Sequence, residues 1–361
     1  EFASKFKSND FQFHFILSRP IFDNLEKNKL NNTHFELSED SPAKIFKGWK
    51  SRRKILELEK NINPDIVYSL GFPSYIRFNN IEIGRYTNPW EIFPTRMAWN
   101  LLPPRERLFV WLKAKYRIQW AKNASYYETQ SIPAKVGIIK LLGLPDKKVK
   151  VIPNCCNPMF LNHKFITKKR KTKNEKIIFC LAAAFRHKNL LIIPKTLKHL
   201  NTFAPELETK FILTLPFDSD LWFEIDAEAK VLGVENNIKN VGPLKLQDTI
   251  IQYEDSDVVF MPTMLEVFSA TYLEAMTMNR PIVTSDLSFA HDICGEAALY
   301  FDPNSPISAA ESIHSVIKDS KISDKLIENG AQQILTFPDA LHKHNLVIDW
   351  LRKISELEAI R

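Results

Sequence analysis

Residues 256–287 read SDVVFMPTMLEVFSATYLEAMTMNRPIVTSDL, and their pattern indicates the fold class. Its first apolar run stops at Pro262, and a helical pattern begins near Ser269, which is a suitable N-cap residue. A second apolar run follows the helix. Strand, helix and strand in this order predict a parallel β-α-β unit. Glu266 then lies in the loop after the first strand, and Glu274 lies in the first turns of the helix.

Strand and helix patterns alternate along the rest of the chain as well. Strand candidates are residues 11–18, 65–71, 124–130, 148–154, 176–184, 210–215, 256–262 and 280–286. Helix candidates between them include residues 41–63, 107–123, 131–144 and 187–201. We expect the aromatic-rich run 11–18 to be a buried strand, and the helix at 41–63 to be capped by Ser41. Such alternation favours parallel sheets with right-handed crossovers, and so two Rossmann-like α/β domains facing each other across a cleft.

The domain limits follow from the same pattern. We predict a first domain over residues 1–160, a second over 161–335, and a last helix at 336–361 that returns toward the first domain. The basic run HKFITKKRKTKNEK at 163–176 has the composition of an interdomain linker or an exposed loop. An α/β domain ordinarily opens with a strand and a Gly-rich turn, whereas residues 1–6, EFASKF, have a helical pattern. We therefore expect the first strand and its Gly-rich loop to be missing.

Composition is that of an ordinary globular protein, with 361 residues, 45% hydrophobic and 25% charged. No transmembrane run and no signal-peptide pattern is visible, and the four cysteines lack metal-ligand spacing. These features predict a cytoplasmic protein with reduced thiols. Residues 1–150 carry 26 lysines and arginines but 15 acidic residues, a net charge of +11. This half is expected to bind an anionic partner. The alternative is that its lysine-rich surface is simply solvated by water.

The placement of the two glutamates predicts a ligand that carries phosphate and hydroxyl groups. In open α/β sheets, ligands bind outside the carboxyl ends of the strands. Free backbone N–H groups and the dipole at a helix start suit a phosphate, and carboxylates accept hydrogen bonds from vicinal hydroxyls. The alternative is that Glu266 is a solvated loop residue and Glu274 a helix residue favoured by the dipole.

Residues 256–287, together with CGEAALYFDPNSP at 294–306, resemble the donor site of family 4 retaining glycosyltransferases (glycosyl transferases group 1) of the GT-B fold. Residues 127–160 resemble the segment that leads to the interdomain linker of that family, and the resemblance covers most of residues 65–335. It implies a hexosyltransferase that moves a sugar from a nucleoside-diphosphate sugar, UDP- or GDP-linked, to a saccharide or lipid-linked saccharide. It also implies a role in cell-surface polysaccharide or glycan synthesis, with no further cofactor.

The resemblance gives roles to individual residues of the opening stretch. Glu266 would contact hydroxyls of the transferred sugar, and Glu274 would bind the ribose hydroxyls of the nucleotide. The backbone amides of Phe268, Ser269 and Ala270 would face the sugar and the diphosphate.

Two cations, Arg186 and Lys188 in AAAFRHKN at 182–189, would neutralise the diphosphate according to the same resemblance. The chain departs from the family here, because the arginine usually stands five residues before the lysine, where this chain has Ala183. The usual Gly-Phe-Gly after the first glutamate is Val-Phe-Ser at 267–269, which restricts the loop backbone. Thr271 replaces a common proline and would add a hydroxyl donor toward phosphate.

The mechanism that we expect depends on charge neutralisation rather than on proton transfer. Preorganised amides and cations supply such stabilisation to a leaving diphosphate. No Asp-x-Asp motif follows a strand, since DSD at 255–257 precedes one. We therefore predict metal-independent transfer with retention, carried by Arg186, Lys188, Glu266 and the helix start at 269–271.

The acceptor side is expected in the loops at 71–76 and 83–94, which follow strand candidates and mix aromatic with polar side chains. A purely structural loop locked by Pro89 and Trp90 is the alternative. Residues 128–130 are expected to line the cleft. Candidate acceptor-side side chains, including two candidate bases, are Arg85, Asn88, Glu82 and Glu91.

Residues 105–122, RERLFVWLKAKYRIQWAK, combine six basic residues with four aromatic ones. Such a helix suits an anionic membrane surface, which fits a lipid-linked acceptor and a peripheral position at the inner face of the membrane. An ordinary helix between strands is the alternative.

Three other functions compete with glycosyl transfer. A glycosidase would use the two glutamates as acid and nucleophile or base. Against this, the chain alternates strand and helix in two halves, and one glutamate lies at a helix start, whose free N–H groups suit an anionic ligand. An epimerase or hydrolase of the same fold would use the donor pocket without an acceptor. A basic nucleic-acid-binding protein would need a recognition motif, and none is present, so we predict no nucleic acid partner.

Overall fold

The computed structural model describes residues 11–24, 32–44, 47–93, 95–163 and 175–359. The predicted helical start at residues 1–6, and with it the expected absence of a first strand, lies outside the described residues, as does most of the basic run 163–176. In the part of the chain that is described, every pair of neighbouring strands is parallel.

The first domain contains two parallel sheets. Strands β1 (Phe13–Ser18) and β2 (Thr33–Ser38) form a pair, and four strands in chain order form the main sheet: β3 (Ile66–Ser69), β4 (Ile81–Arg85), β5 (Tyr126–Thr129) and β6 (Val149–Val151). Its helices are α1 (Arg19–Asn24), α2 (Gly48–Ile62), α3 (Pro89–Ile92), α4 (Arg96–Asn100), α5 (Pro104–Ala121), α6 (Ile132–Leu142) and α7 (Pro158–Leu161).

The second domain is built on one six-stranded sheet of order β12-β11-β10-β7-β8-β9. The strands are β7 (Glu175–Cys180), β8 (Glu208–Leu213), β9 (Ile238–Asn240), β10 (Val258–Met261), β11 (Ile282–Ser285) and β12 (Ala298–Phe301). The helices are α8 (Ile192–Phe203), α9 (Asp220–Leu232), α10 (Leu246–Asp255), α11 (Ala270–Thr277), α12 (Ser288–Cys294), α13 (Pro306–Lys318), α14 (Ser320–Gln333) and α15 (Ala340–Ala359). The chain order reverses between β7 and β10, which makes their carboxyl ends the topological switch point.

The predicted architecture of two α/β domains with parallel sheets is confirmed. Strands β10 and β11 are buried at every residue, as expected for parallel strands that are covered on both faces. The last helix, α15, packs through Ile348, Leu351 and Ile354 against Ile83 and Tyr126 of the first-domain sheet. No described helix is long and apolar enough to cross a lipid bilayer.

Three local predictions are wrong. Strand β1 is not fully buried, because it belongs to a two-stranded sheet and alternate residues face outward. Helix α2 begins at Gly48 rather than at Ser41, since the chain turns at residues 42–43 and folds back. A Cβ atom on Gly48 would lie 2.7 Å from the carbonyl oxygen of Pro42. Helix α8 begins at Ile192, because a short 3-10 turn occupies residues 186–188.

Candidate active site

A cleft of about 1020 Å³ separates the carboxyl ends of the two main sheets. On the second-domain side it is lined by residues 181–185 after β7, by Thr214 after β8, and by Glu266 after β10. On the first-domain side it is lined by residues 87–91 after β4 and by one face of α5. The cleft therefore opens at the switch point of the second sheet, where ligands of α/β proteins bind.

Lys188 and Glu266 meet in this cleft. Lys188 ends the 3-10 turn after β7, where Asn189 takes the left-handed conformation with φ 54° and donates to the carbonyl oxygen of Pro303 at 3.0 Å. The Lys188 ammonium donates to Oε2 of Glu266, and the two side chains are 17% and 16% exposed. A cation and a carboxylate that the sequence places 78 residues apart thus form one partly buried pair.

The loop that carries Glu266 is held on three sides. The backbone N–H of Met264 donates to the carbonyl oxygen of His187 at 2.8 Å, which joins the loops after β7 and β10. Val267 is buried in a cluster whose other members all belong to the first domain. Phe268 packs edge-on against Phe337 with ring centroids 5.8 Å apart. These contacts leave the Glu266 side chain directed into the cleft.

Helix α11 begins at Ala270, directly after the loop. Its N-cap residue is Ser269, as predicted, but the Ser269 side chain makes no capping hydrogen bond. Thr271 lines the cleft together with Glu266, whereas Phe268, Ser269 and Ala270 are not among the lining residues. The predicted roles of those three residues concern their backbone amides, which lie at the helix start.

Glu274 lies one helical turn beyond Thr271 on the same face of α11. It is half-buried and accepts a hydrogen bond of 3.0 Å from the hydroxyl of Tyr253, which is fully buried. Burial raises the pKa of Glu274, and the Tyr253 hydrogen bond opposes this shift. Cys156 lies beside the same carboxylate, and burial raises the pKa of its thiol to about 11. Cys156 is therefore an uncharged packing residue rather than a nucleophile.

Arg186 is directed away from Lys188. Its guanidinium donates twice to Glu224 of α9, at 2.7 and 2.6 Å, and its Nε lies 3.8 Å from Glu106 of α5. The hydrogen bond with Glu224 raises the pKa of Arg186. Arg186 is not among the residues that line the cleft, so in this structure it connects the two domains.

His187 is a cleft residue that the sequence analysis did not single out. Its ring stacks on Phe185 at 5.5 Å and meets the edge of Trp90, from the first domain, at 5.6 Å. Burial, together with the charge of Lys188, lowers the pKa of His187 to about 4, so the imidazole is neutral near pH 7. Its position between the two predicted cations, Arg186 and Lys188, was the one sequence feature that could have indicated a cleft residue.

The first-domain wall contains a buried ion pair that involves one of the candidate bases. Glu91 accepts hydrogen bonds from the Tyr86 hydroxyl, at 2.5 Å, and from Nε of Arg117. Arg117 also donates to Tyr75 at 3.1 Å and to the carbonyl oxygen of Phe72 at 2.8 Å. Burial raises the pKa of Glu91, and the Arg117 charge opposes it. Since two donors occupy the carboxylate, Glu91 has a structural role in this wall.

Two of the other acceptor-side candidates, Glu82 and Arg85, lie apart from the cleft. Glu82 is buried and accepts a hydrogen bond of 2.7 Å from Ser69. Glu128 accepts from the Tyr68 hydroxyl and lies 3.3 Å from Nε of Arg85. The expectation that residues 128–130 line the cleft is wrong, since none of the three is among its lining residues. Alternation along β5 turns Glu128 to the face shared with Tyr126 and α15. Asn88 does line the cleft.

A comparison with protein families matches residues 162–333 to the family described as glycosyl transferases group 1. A curated relative, the O-antigen chain mannosyltransferase RfbU of Salmonella typhimurium, is 23% identical over 195 residues, which cover 54% of this chain and 52% of the relative. The D-inositol 3-phosphate glycosyltransferase of Corynebacterium glutamicum is 25% identical over 114 residues, covering 30% of this chain and 27% of the relative. The chain thus matches about half the length, or less, of these curated relatives.

Two solved structures have the same fold over nearly the whole chain. A glycosyltransferase from Rickettsia africae superposes with a TM-score of 0.72 at 14% identity, covering 96% of this chain and 99% of that one. Anabaena HepE, solved in complex with UDP and glucose, superposes with a TM-score of 0.67 at 16% identity, covering 92% and 89%. At these identities the likeness establishes the GT-B fold.

Proposed function

We propose that this chain, whose residues 162–333 match the family of group 1 glycosyl transferases, transfers a sugar from a nucleoside-diphosphate sugar to a saccharide acceptor. The observation that carries the proposal is the Lys188–Glu266 pair at the switch point of the second sheet. It combines a cation for phosphate with a carboxylate for sugar hydroxyls, next to the free start of α11.

The donor is bound, on this proposal, along the second-domain wall of the cleft. Glu266 accepts hydrogen bonds from the transferred sugar, and the amides of residues 268–270 with the Thr271 hydroxyl face the diphosphate. Glu274 binds the ribose hydroxyls, and the Tyr253 hydroxyl orients its carboxylate. A UDP- or GDP-linked hexose fits these roles. The solved complex of Anabaena HepE with UDP and glucose supports a nucleotide of this kind.

Lys188 is the main cation for the leaving nucleoside diphosphate. Its ammonium is only 17% exposed, so water screens its charge weakly, and preorganised charges of this kind stabilise a departing phosphate. Arg186 adds less positive potential, because two carboxylates already surround it. We propose retention of configuration without a metal ion, as the family resemblance implies.

The acceptor enters from the first-domain wall, where Asn88, Trp90 and Lys113 line the cleft. We propose a saccharide or lipid-linked saccharide that is used in cell-surface polysaccharide synthesis, and the similarity to an O-antigen chain mannosyltransferase supports this class. The reaction would take place in the cytoplasm, at the inner face of the membrane. All four cysteines are free thiols, which suits that compartment.

A thermal-shift screen with UDP-, GDP-, ADP- and dTDP-sugars tests the donor assignment. A ligand that binds only the folded protein raises its melting temperature, so at least one nucleotide sugar should shift the wild type. The Glu266→Gln variant should respond less to the nucleotide sugar, but at least as strongly to the free nucleotide, because Lys188 is then released from its ion pair. No shift with any compound would contradict the proposal. Turnover of the selected donor without an acceptor would instead favour an epimerase or hydrolase.

A further inference from the structure

The charged side chains that line the cleft do not balance. Lys188 pairs with Glu266 on the second-domain wall, and Arg117 pairs with Glu91 on the first-domain wall. Lys113, the other charged side chain of the lining, has no hydrogen bond or ion pair with any residue that the structure describes. The cleft therefore carries one uncompensated positive charge, and this charge lies on helix α5.

The position of Lys113 on α5 is fixed by ion pairs on either side of it. At about 3.6 residues per turn, Glu106, Lys113 and Arg117 fall on one face of the helix. Glu106 lies 3.8 Å from Nε of Arg186, and Arg117, one turn beyond Lys113, is bound to Glu91. Burial raises the pKa of Glu91, and the charge of Lys113 is among the causes that oppose this shift. The Lys113 ammonium thus belongs to the first-domain side of the cleft, where the acceptor is expected.

An aromatic cluster lies in the same cleft and connects its two walls. Phe185, after β7, is 58% exposed and stacks on the His187 ring with centroids 5.5 Å apart. Trp90 of the first domain meets the His187 ring edge-on at 5.6 Å. A pyranose ring has apolar C–H faces, which suit the negatively polarised face of an aromatic ring. The exposed Phe185 ring therefore offers a platform for a sugar close to Lys188.

We infer that the acceptor saccharide is anionic, with its phosphate or carboxylate group bound by Lys113 and a face of its sugar ring packed on Phe185. An ammonium group forms charge-assisted hydrogen bonds with either anion. Lys188 and the start of α11 serve the donor diphosphate from the opposite wall, so Lys113 is left for a second anion. The inference rests on the proposed function, because it assigns Lys113 to the acceptor of that transfer.

Ligand-observed NMR titrations with the donor site occupied test the inference. UDP or GDP, whichever raises the melting temperature more, is added at saturation to keep sugar phosphates out of the donor site. The probes are the methyl glycosides, 1-phosphates and 6-phosphates of glucose and mannose, together with glucuronate. We expect the wild type to bind one or more anionic probes about fivefold more tightly than the neutral glycosides, and Lys113→Met to lose this preference.

The anionic probes also distinguish two sources of the charge, and either result supports the inference. A preference for a 1-phosphate places the anion where a lipid phosphate would be attached. A preference for a 6-phosphate or for glucuronate places it on the sugar itself. Phe185→Leu should weaken neutral and anionic probes alike, by about threefold, because it removes the aromatic face but keeps the apolar bulk.

Two matched controls change similar side chains outside the lining of the cleft. Lys115→Met replaces an exposed lysine of the same helix, which lies over the Trp111 ring at 5.8 Å. Phe223→Leu replaces a phenylalanine that is 57% exposed on α9. Both variants should bind every probe like the wild type.

Equal affinity for neutral and anionic probes, no binding of any probe, or an anionic preference that survives in Lys113→Met would overturn the inference. A loss of nucleotide affinity in Lys113→Met with unchanged saccharide binding would also overturn it, because Lys113 would then serve the donor. Nucleotide-induced thermal shifts report separately on the donor site. A protein that binds a nucleotide but shows no anionic preference keeps the proposed function and loses only the inference, whereas a protein that binds no nucleotide contradicts the proposed function itself.

Discussion

Replacement of Lys188 by methionine removes the cation that faces the cleft beside Glu266. Methionine preserves the length and the apolar stem of the side chain, so we expect the fold to be retained. The two partners are 17% and 16% exposed, which means that water replaces the lost charge poorly. Glu266 then stays in the cleft as an unneutralised carboxylate and repels the diphosphate of the donor.

The expected magnitude follows from the chemistry of the lost interaction. A hydrogen bond from a charged group contributes about 1.5–3 kcal/mol, which corresponds to a loss in nucleoside diphosphate affinity of about 10- to 150-fold. During transfer the leaving diphosphate gains charge, and the removal of one preorganised donor from such a site lowers kcat by about 10²- to 10³-fold. Turnover should therefore suffer more than binding.

Isothermal titration with UDP and GDP measures the affinity, and nucleotide release from the selected donor measures turnover. Lys195→Met is the matched control, because Lys195 is 56% exposed on α8 and pairs with Glu228 at 3.6 Å, outside the lining of the cleft. It should leave both quantities unchanged. A Lys188→Met variant with wild-type affinity and wild-type kcat would refute the assignment of Lys188 as the phosphate cation.

Three further perturbations test the structure around the site. Arg117→Leu leaves the fully buried side chain of Glu91 without its cation. The free energy of unfolding, measured in urea, should therefore fall by about 3–5 kcal/mol. A loss below about 1 kcal/mol would contradict a buried ion pair. Val267→Ala should cost about 1–2.5 kcal/mol and speed hydrogen exchange in residues 263–269, whereas Val283→Ala, in β11, should destabilise without that local effect. Burial raises the pKa of four glutamates: Glu82, Glu91, Glu128 and Glu274. The stability that they contribute is therefore present in acid and is lost as pH rises above about 4.5 through the raised pKa values. Glu82→Gln should flatten this fall in the free energy of unfolding, measured by urea titration at several pH values, and an unchanged slope would contradict the expectation.

The β-α-β unit was predictable because its limits are set by local signals. The strand ends at Met261 before Pro262, and α11 begins after Ser269, close to where the sequence predicts both. Ligands of α/β proteins bind at the carboxyl ends of the strands, so the sequence alone predicted that Glu266 lies in a ligand-binding loop. The convergence of Lys188 on Glu266 came from the family resemblance, since nothing local links residues so far apart in sequence.

The partners of Arg186 and Val267 were not predictable from the sequence. Glu224 is 38 residues from Arg186, and Glu106 belongs to the other domain, so only the folded chain shows that Arg186 is already paired. Val267 was notable as a departure from glycine, but its packing into the first-domain cluster depends on how the two domains meet. Similarly, the start of α2 at Gly48 depends on a close backbone approach that no propensity encodes.

The proposed function requires that the cleft binds a nucleoside diphosphate, with Glu274 on the ribose. Isothermal titration of the wild type and of Glu274→Gln with UDP, GDP and their 2′-deoxy analogues measures both features. The wild type should bind one ribonucleotide about tenfold or more tightly than its 2′-deoxy analogue, and Glu274→Gln should lose that preference. Absence of binding to both ribonucleotides, or an unchanged preference in Glu274→Gln, would contradict the claim.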